Sequence, residues 1–269
     1  MRENGIFRWL TLFLSGVVLL FIIAPLAGMF LHTPLSSIFN TATEKEVQSS
    51  IWLTLWVAFT GTLIFSLGAI PVAWILARKQ FRGKNIVQAV IDLPVVLPHT
   101  AAGIALLGFI SRDGFAGKMA SAVGLDLVNH PGGIALAMAF VSLPFMINAA
   151  RDGFMSVPER LEKAALNLGA SPARVFFTIS VPLAWRSIIT GFIMMFARGM
   201  SEFGAVVIIA YHPMVAPVLI FERFSNFGLK YARPAAVLFI LVALVVFVIL
   251  RLLANGRKLK QRSIDAETD

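Results

Sequence analysis

Six long apolar runs alternate with shorter polar segments along the chain, at 10–31, 51–77, 86–110, 133–150, 188–210 and 234–250. A helix that crosses the hydrocarbon core of a bilayer needs about 20 mainly apolar residues. Each run meets or approaches that length, so the pattern predicts six membrane-spanning helices. The last run is the shortest, and it reaches residue 253 once the Arg251 side chain extends to the interface. The first is longer than the roughly 7–15 apolar residues of a signal peptide and is followed by only a weak cleavage signal, so it is expected to stay in the membrane.

Lys and Arg are unevenly divided between the segments that join these runs. Sixteen of the 23 fall in one alternate set: Arg2 and Arg8; Arg78, Lys79, Arg82 and Lys84; Arg151, Arg160, Lys163, Arg174 and Arg186; and Arg251, Arg257, Lys258, Lys260 and Arg262. The other set holds six, Lys45, Arg112, Lys118, Arg223, Lys230 and Arg233, and Arg198 falls inside a run. Segments rich in Lys and Arg remain cytoplasmic, which predicts that both chain ends lie inside the cell (N-in, C-in). The net charge of +9 is then a topology signal rather than a nucleic-acid footprint. Composition agrees: 58% of residues are hydrophobic and 14% charged, against roughly 45–50% and 25% in soluble domains. A water-soluble enzyme is excluded, since so much apolar surface could not be covered. The absence of Cys excludes disulfides, thiolate metal sites and a Cys nucleophile. With no internal repeat and no low-complexity linker, residues 1–269 read as one all-α membrane domain.

Between the fourth and fifth runs, residues 156–182 carry the strongest helix signals outside the membrane. Ser156-Val-Pro-Glu159 reads as a capping box, with Pro in the first turn. The helix that follows, over 157–168, would place Leu161, Ala165 and Leu168 on one apolar face. Gly169 stands where helices end in a left-handed residue. Ser171-Pro172 would cap a second short helix with Val175, Phe176 and Ile179 apolar, ended by Pro182. Two short helices of this kind could be a DNA-reading helix-turn-helix or an inert structured loop. A domain so embedded in lipid is badly placed for DNA.

The stretch Leu161-Glu-Lys-Ala-Ala-Leu-Asn-Leu-Gly169-Ala-Ser-Pro, followed by Val181-Pro182-Leu183, resembles the "EAA" motif of permeases from binding-protein-dependent ABC importers. Lys163 occupies the place of the motif's Glu, with Glu162 one residue earlier. The resemblance implies that this element is a coupling helix that docks on a cytoplasmic ATPase, with Glu159, Glu162, Lys163, Ala164, Ala165, Gly169, Ala170, Ser171 and Pro172 forming it. It also implies a type I ABC importer permease (MetI-like) fold with a core at about 50–250.

The fifth run contains Phe196-Ala-Arg198-Gly-Met-Ser-Glu202-Phe-Gly204-Ala. Arg198 and Glu202 are four apart, hence on one helix face. A charge at mid-bilayer costs about 2.5–3.5 kcal/mol on insertion scales, so both should face protein or water. Either they stitch helices together as an ion pair or they line a polar path. The segment resembles the "ARxxGEFGA" signature of oxyanion importer permeases, with Ser201 replacing a Gly. Together with Val206-Val-Ile-Ile-Ala-Tyr211-His-Pro-Met-Val-Ala-Pro217 it is most similar to the archaeal molybdate/tungstate branch. In the third run, Asp92-Leu-Pro94-Val-Val-Leu-Pro98-His99-Thr-Ala-Ala-Gly103 resembles the same family's "LPxVLPPxxxG" stretch, with His99 in place of a second Pro. Pro94 and Pro98 should each bend that span. Family resemblance implies a translocation path or gate near Asp92, Pro94, Pro98, His99, Arg198, Ser201, Glu202, Phe203 and Gly204.

No Gly-x-x-x-x-Gly-Lys-Ser/Thr loop occurs, so the chain does not supply the usual ATP-binding loop. The family reading assigns no cofactor or metal to the chain and places ATP and Mg on two partner ATPase subunits. It implies a homodimer in the cell membrane, an extracytoplasmic oxyanion-binding protein and no nucleic-acid partner. The external stretch 216–229 suits an interfacial helix, with Val218, Leu219, Phe221, Phe224 and Phe227 interrupted by Glu222, Arg223 and Asn226. Molybdate or tungstate is the expected substrate and sulfate the alternative. A secondary transporter or channel would leave 156–182 unexplained, and an intramembrane enzyme would have only Asp92 and Glu202 as a weak carboxylate pair.

Overall fold

Apolar length decides most of the architecture. A computed structural model describes residues 5–255, and every element among them is helical. The expectations for Arg2, Arg257, Lys258, Lys260 and Arg262 lie outside the described residues. In chain order the elements begin with α1 (Gly5–Leu31), α2 (Leu35–Thr43), α3 (Lys45–Arg78), α4 (Lys84–Val96), α5 (His99–Ile110) and α6 (Phe115–Ala122). They continue with α7 (Pro131–Ser156), α8 (Glu159–Asn167), α9 (Pro172–Val175), a π turn (Phe176–Ser180) and α10 (Val181–Met200). The chain closes with α11 (Gly204–Ile209), α12 (Ala216–Phe227) and α13 (Leu229–Asn255). Five apolar segments are long enough to cross a membrane alone: α1, α3, α7, α9 through α10, and α13. A sixth crossing needs α4 and α5 together.

Helix α7 is the centre of the bundle, packed most extensively against α3 and α10. Small buried residues, Ala69 and Ala73 on α3, Ala139 and Ala150 on α7 and Ala184 on α10, bring these backbones together. In lipid, such close contact replaces the hydrophobic driving force available in water. Around it, one core cluster includes Phe154, Met146, Ile147 and Leu76, and another includes Ile134, Val141, Phe196, Val206 and Val218. Helix α1, by contrast, buries none of its membrane window in the protein and packs mainly on α13. Its exposed Leu, Val and Phe side chains fit a lipid-facing span.

Two of the predicted spans are broken, the third span where a bend was expected at its prolines. The third turns by 112° between α4 and α5. Pro94 is accommodated inside α4, and the break falls at Leu97 (ψ 141°) and Pro98 (ψ 129°). The ring of Pro98 drives the preceding residue out of the α region. The fifth span, predicted to run unbroken to 210, stops at Met200 and resumes at Gly204. Pro182 does not end a helix either: it sits in the first turn of α10, where its missing N–H costs least. The π turn before it carries the chain from α9 straight into the span. The external helix α12 forms as expected and ends at Phe227, because Gly228 adopts φ 78°.

Candidate functional site

The element 156–182 departs from its predicted detail. Helix α7 continues through Ser156, whose hydroxyl donates back to the Gly153 carbonyl at 2.7 Å. The capping box is therefore not made, and Pro158 precedes α8 without any side-chain cap. The other two local signals are present. Gly169 adopts φ 86°, with its N–H donating to Leu166 O (3.0 Å) and that of Ala170 to Ala165 O (3.0 Å). These are the two bonds of a Schellman C-cap. Ser171 Oγ accepts from the Arg174 N–H at 3.3 Å, and Pro172 starts α9.

The apolar side chains of α8 are only partly covered by the protein. Leu161 and Leu166 are exposed and Leu168 is 89% exposed, whereas Glu162 is only 7% exposed. The Glu162 carboxylate meets Arg78 at the end of α3: Nε donates to Oε2 at 2.8 Å and Nη2 to Oε1 at 2.9 Å. Ser180 Oγ donates to Oε1 at 2.8 Å, and Arg78 Nη2 also reaches Val157 O at 2.9 Å. A charge out of water must be paired and hydrogen-bonded, so this contact sets the rotation of α8, with Leu161 and Leu166 left exposed on either side of Glu162. On the outer side Glu159 pairs with Lys163 at 2.8 Å, and that hydrogen bond holds the Glu159 carboxyl below its ordinary pKa. Ala164, Gly169, Ser171 and Pro172 are exposed, and Ala165 and Ala170 half-buried. Arg78 is the residue that sequence reasoning missed, since it counted only as one loop cation among several.

The two helix breaks come together at a second cluster. His99, the first residue of α5, accepts from Arg198 Nη2 through Nε2 at 2.8 Å. Arg198, in the last turn of α10, also lies 2.9 Å from Glu202 Oε2. That oxygen has no aligned donor, so the contact is ionic. The other oxygen, Oε1, accepts from the Ala205 N–H at 2.9 Å and caps α11. His99 Nδ1 is 3.7 Å from Oε2. Glu202 is 1% exposed, while the side chains of Arg198 and His99 remain 25% and 42% exposed. Ser201 returns its hydroxyl to Arg198 O at 3.0 Å, and Phe203 packs on Phe221 with ring centres 4.7 Å apart. Asp92 stands apart from this cluster, accepting from Asn148 on α7 at 2.6 Å. Pro94 is buried within α4.

Glycine makes this juncture possible. A Cβ on Gly204 would fall 2.7 Å from His99 Cβ, and one on Gly103 would fall 2.9 Å from Ala205 Cα. Gly103→Ala should therefore force α5 and α11 apart, at a cost of about 1–3 kcal/mol for overpacking. Gly108→Ala on the same helix meets nothing within 4 Å. Thermal unfolding of the two purified variants should show a lowered midpoint for the first only; equal midpoints would contradict the close seam.

Comparison with known proteins adds sequence relatives and a fold. Residues 69–258 match the family described as "Binding-protein-dependent transport system inner membrane component". The molybdate/tungstate transport system permease protein WtpB of Thermococcus kodakarensis is 43% identical, over 92% of this chain and 97% of that protein. WtpB of Pyrococcus furiosus is 42% identical over 91% and 94%. The sulfate transport system permease protein CysT of Synechocystis is 31% identical over 90% and 87%. Among solved structures, a chain of a bacterial ABC transporter that imports the acidic polysaccharide alginate superimposes with TM-score 0.71. It is 16% identical, with 93% of this chain and 96% of that chain covered, a likeness of fold alone.

Proposed function

The chain belongs to the family of binding-protein-dependent transport system inner membrane components, and from that premise we propose that it is the permease of a molybdate/tungstate ABC importer. It is a multi-pass integral membrane protein, and its task is transport rather than catalysis. Two copies would enclose the path, two ATPase subunits carrying ATP and Mg would bind below, and an extracytoplasmic oxyanion-binding protein would deliver substrate above. The observation that carries the coupling part of this reading is α8. It is a helix closed by a C-cap at Gly169 and anchored by a buried ion pair, and Leu161, Leu166 and Leu168 beside that anchor are left uncovered by the chain itself. Glu159, Lys163, Ala164, Gly169, Ser171 and Pro172 would lie on or beside that docking face. A channel or secondary transporter has no use for such a lever.

The second cluster fits a path-lining role. Arg198 and His99 remain partly exposed at the junction of two broken spans, where backbone irregularity is tolerated if it is buried in protein or faces water. There Arg198 would lend a positive field to a dianion's route, with Ser201, Phe203 and Gly204 shaping the same turn and Pro98 setting its entry.

The substrate is chosen on the higher identity to molybdate/tungstate permeases than to the sulfate one. Reconstituted with the cognate binding protein and ATPase, the complex should import molybdate or tungstate in preference to sulfate at matched, sub-saturating concentrations. Equal uptake of sulfate would overturn the substrate and leave the importer assignment standing.

A further inference from the structure

Four elements meet at the Arg78–Glu162 pair. Arg78 is the last residue of α3, and both of its bonds to the carboxylate are short, at 2.8 and 2.9 Å. The same guanidinium reaches Val157 O, at the turn from α7 into α8. The carboxylate is also held by Ser180, fully buried in the π turn that leads into α10. One ion pair thus joins α8 to the ends of α3, α7 and α10.

We propose that Arg78 is a positioning residue for coupling: through Glu162 it fixes the coupling helix to α3, so that displacement of α8 moves α3, α7 and α10 as one body. This rests on the coupling reading of α8 given above. The backbone of α8 packs mainly on α9 and the π turn, and the Arg78–Glu162 bonds tie it to α3. A planar guanidinium bound at two points resists rotation as a single point charge does not. Burial keeps the pair from being screened by salt, as a surface bridge would be. The π turn stands at the opposite end of the same network, and such turns recur at functional sites.

The test compares Arg78→Lys, the double variant Arg78→Met with Glu162→Met, and Leu168→Asp. Each is assembled with the ATPase and binding protein in proteoliposomes, and molybdate uptake and ATP hydrolysis are measured on the same preparation. The double variant is used because removing one partner alone leaves an uncompensated buried charge, whereas replacing both by apolar side chains is often neutral. In the double variant and in Arg78→Lys, ATP hydrolysed per anion imported should rise about tenfold, a usual size for coupling between sites, with melting close to that of the parent. A parental ratio in the double variant overturns the proposal, because a merely structural pair would be replaced without loss of coupling. Should the double variant not fold, a parental ratio in Arg78→Lys overturns it equally. Leu168→Asp should remove the ATPase from the purified complex. If the ATPase stays bound, the coupling reading of α8 falls, whatever the Arg78 variants show.

Discussion

Gly169→Val is expected to abolish coupled uptake while the protein still inserts in the membrane. Gly169 holds φ 86° and a Cβ there would meet nothing within 4 Å, so the effect acts through the backbone alone. A left-handed residue with a side chain costs on the order of 1–2 kcal/mol, and a β-branched one is a rarer outlier still. That strain is relieved by opening the two C-cap bonds, Gly169 N–H to Leu166 O and Ala170 N–H to Ala165 O. The last turn of α8 then frays, and Leu168 leaves the position proposed for docking. Asn tolerates the left-handed region, so Gly169→Asn should keep most of the coupling. Uptake and substrate-stimulated ATP hydrolysis measured together check this; normal coupling in the valine variant would refute the role of the turn.

The next largest effect should come from Arg198 and Glu202. Arg198→Met leaves the carboxylate of Glu202, 1% exposed, without its cation. Breaking a buried pair in this way costs about 3–5 kcal/mol. Glu202→Gln should cost less, because the amide oxygen can still accept from the Ala205 N–H and Arg198 keeps His99. The double variant should regain thermal stability. If Arg198 sets the field of the anion path, uptake should not return with it. A double-mutant cycle with stability and uptake read on the same preparations separates the two roles. Full recovery of uptake would leave the pair as scaffold.

The same two regions show how far residue patterns reach. Spacing of Leu161, Ala165 and Leu168 correctly identified a helix, yet did not show that its best-buried side chain would be Glu162. Amphipathic periodicity reports that one face avoids water; it does not say whether the protein's own core or an absent partner covers it. Glu162 finds Arg78 across 84 residues, and no local rule joins them. The Arg198–Glu202 pair was legible from its four-residue spacing, but its setting was not. Glu202 lies beyond the end of α10 and caps α11, and His99 reaches Arg198 across 99 residues. Ser156 was read as a cap because its neighbours fit the motif; the packed α7 extended through it instead, with Phe154 fully buried in its last turn.

Sequence by itself determined the helical class, the positions of the long apolar spans, the left-handed turn at Gly169 and the Ser171 cap. Each of these depends on a short stretch: apolar length against the thickness of a bilayer, or the φ one residue can adopt. Tertiary structure alone decided that the fifth span breaks between Met200 and Gly204, which face of α8 turns inward, and that Arg78 is the partner of Glu162. Those outcomes follow from the requirement that every buried charge and backbone group be satisfied at once. Glu202 meets it with near neighbours, Arg198 and the Ala205 N–H, whereas Glu162 meets it through Arg78, on a helix far away in the chain.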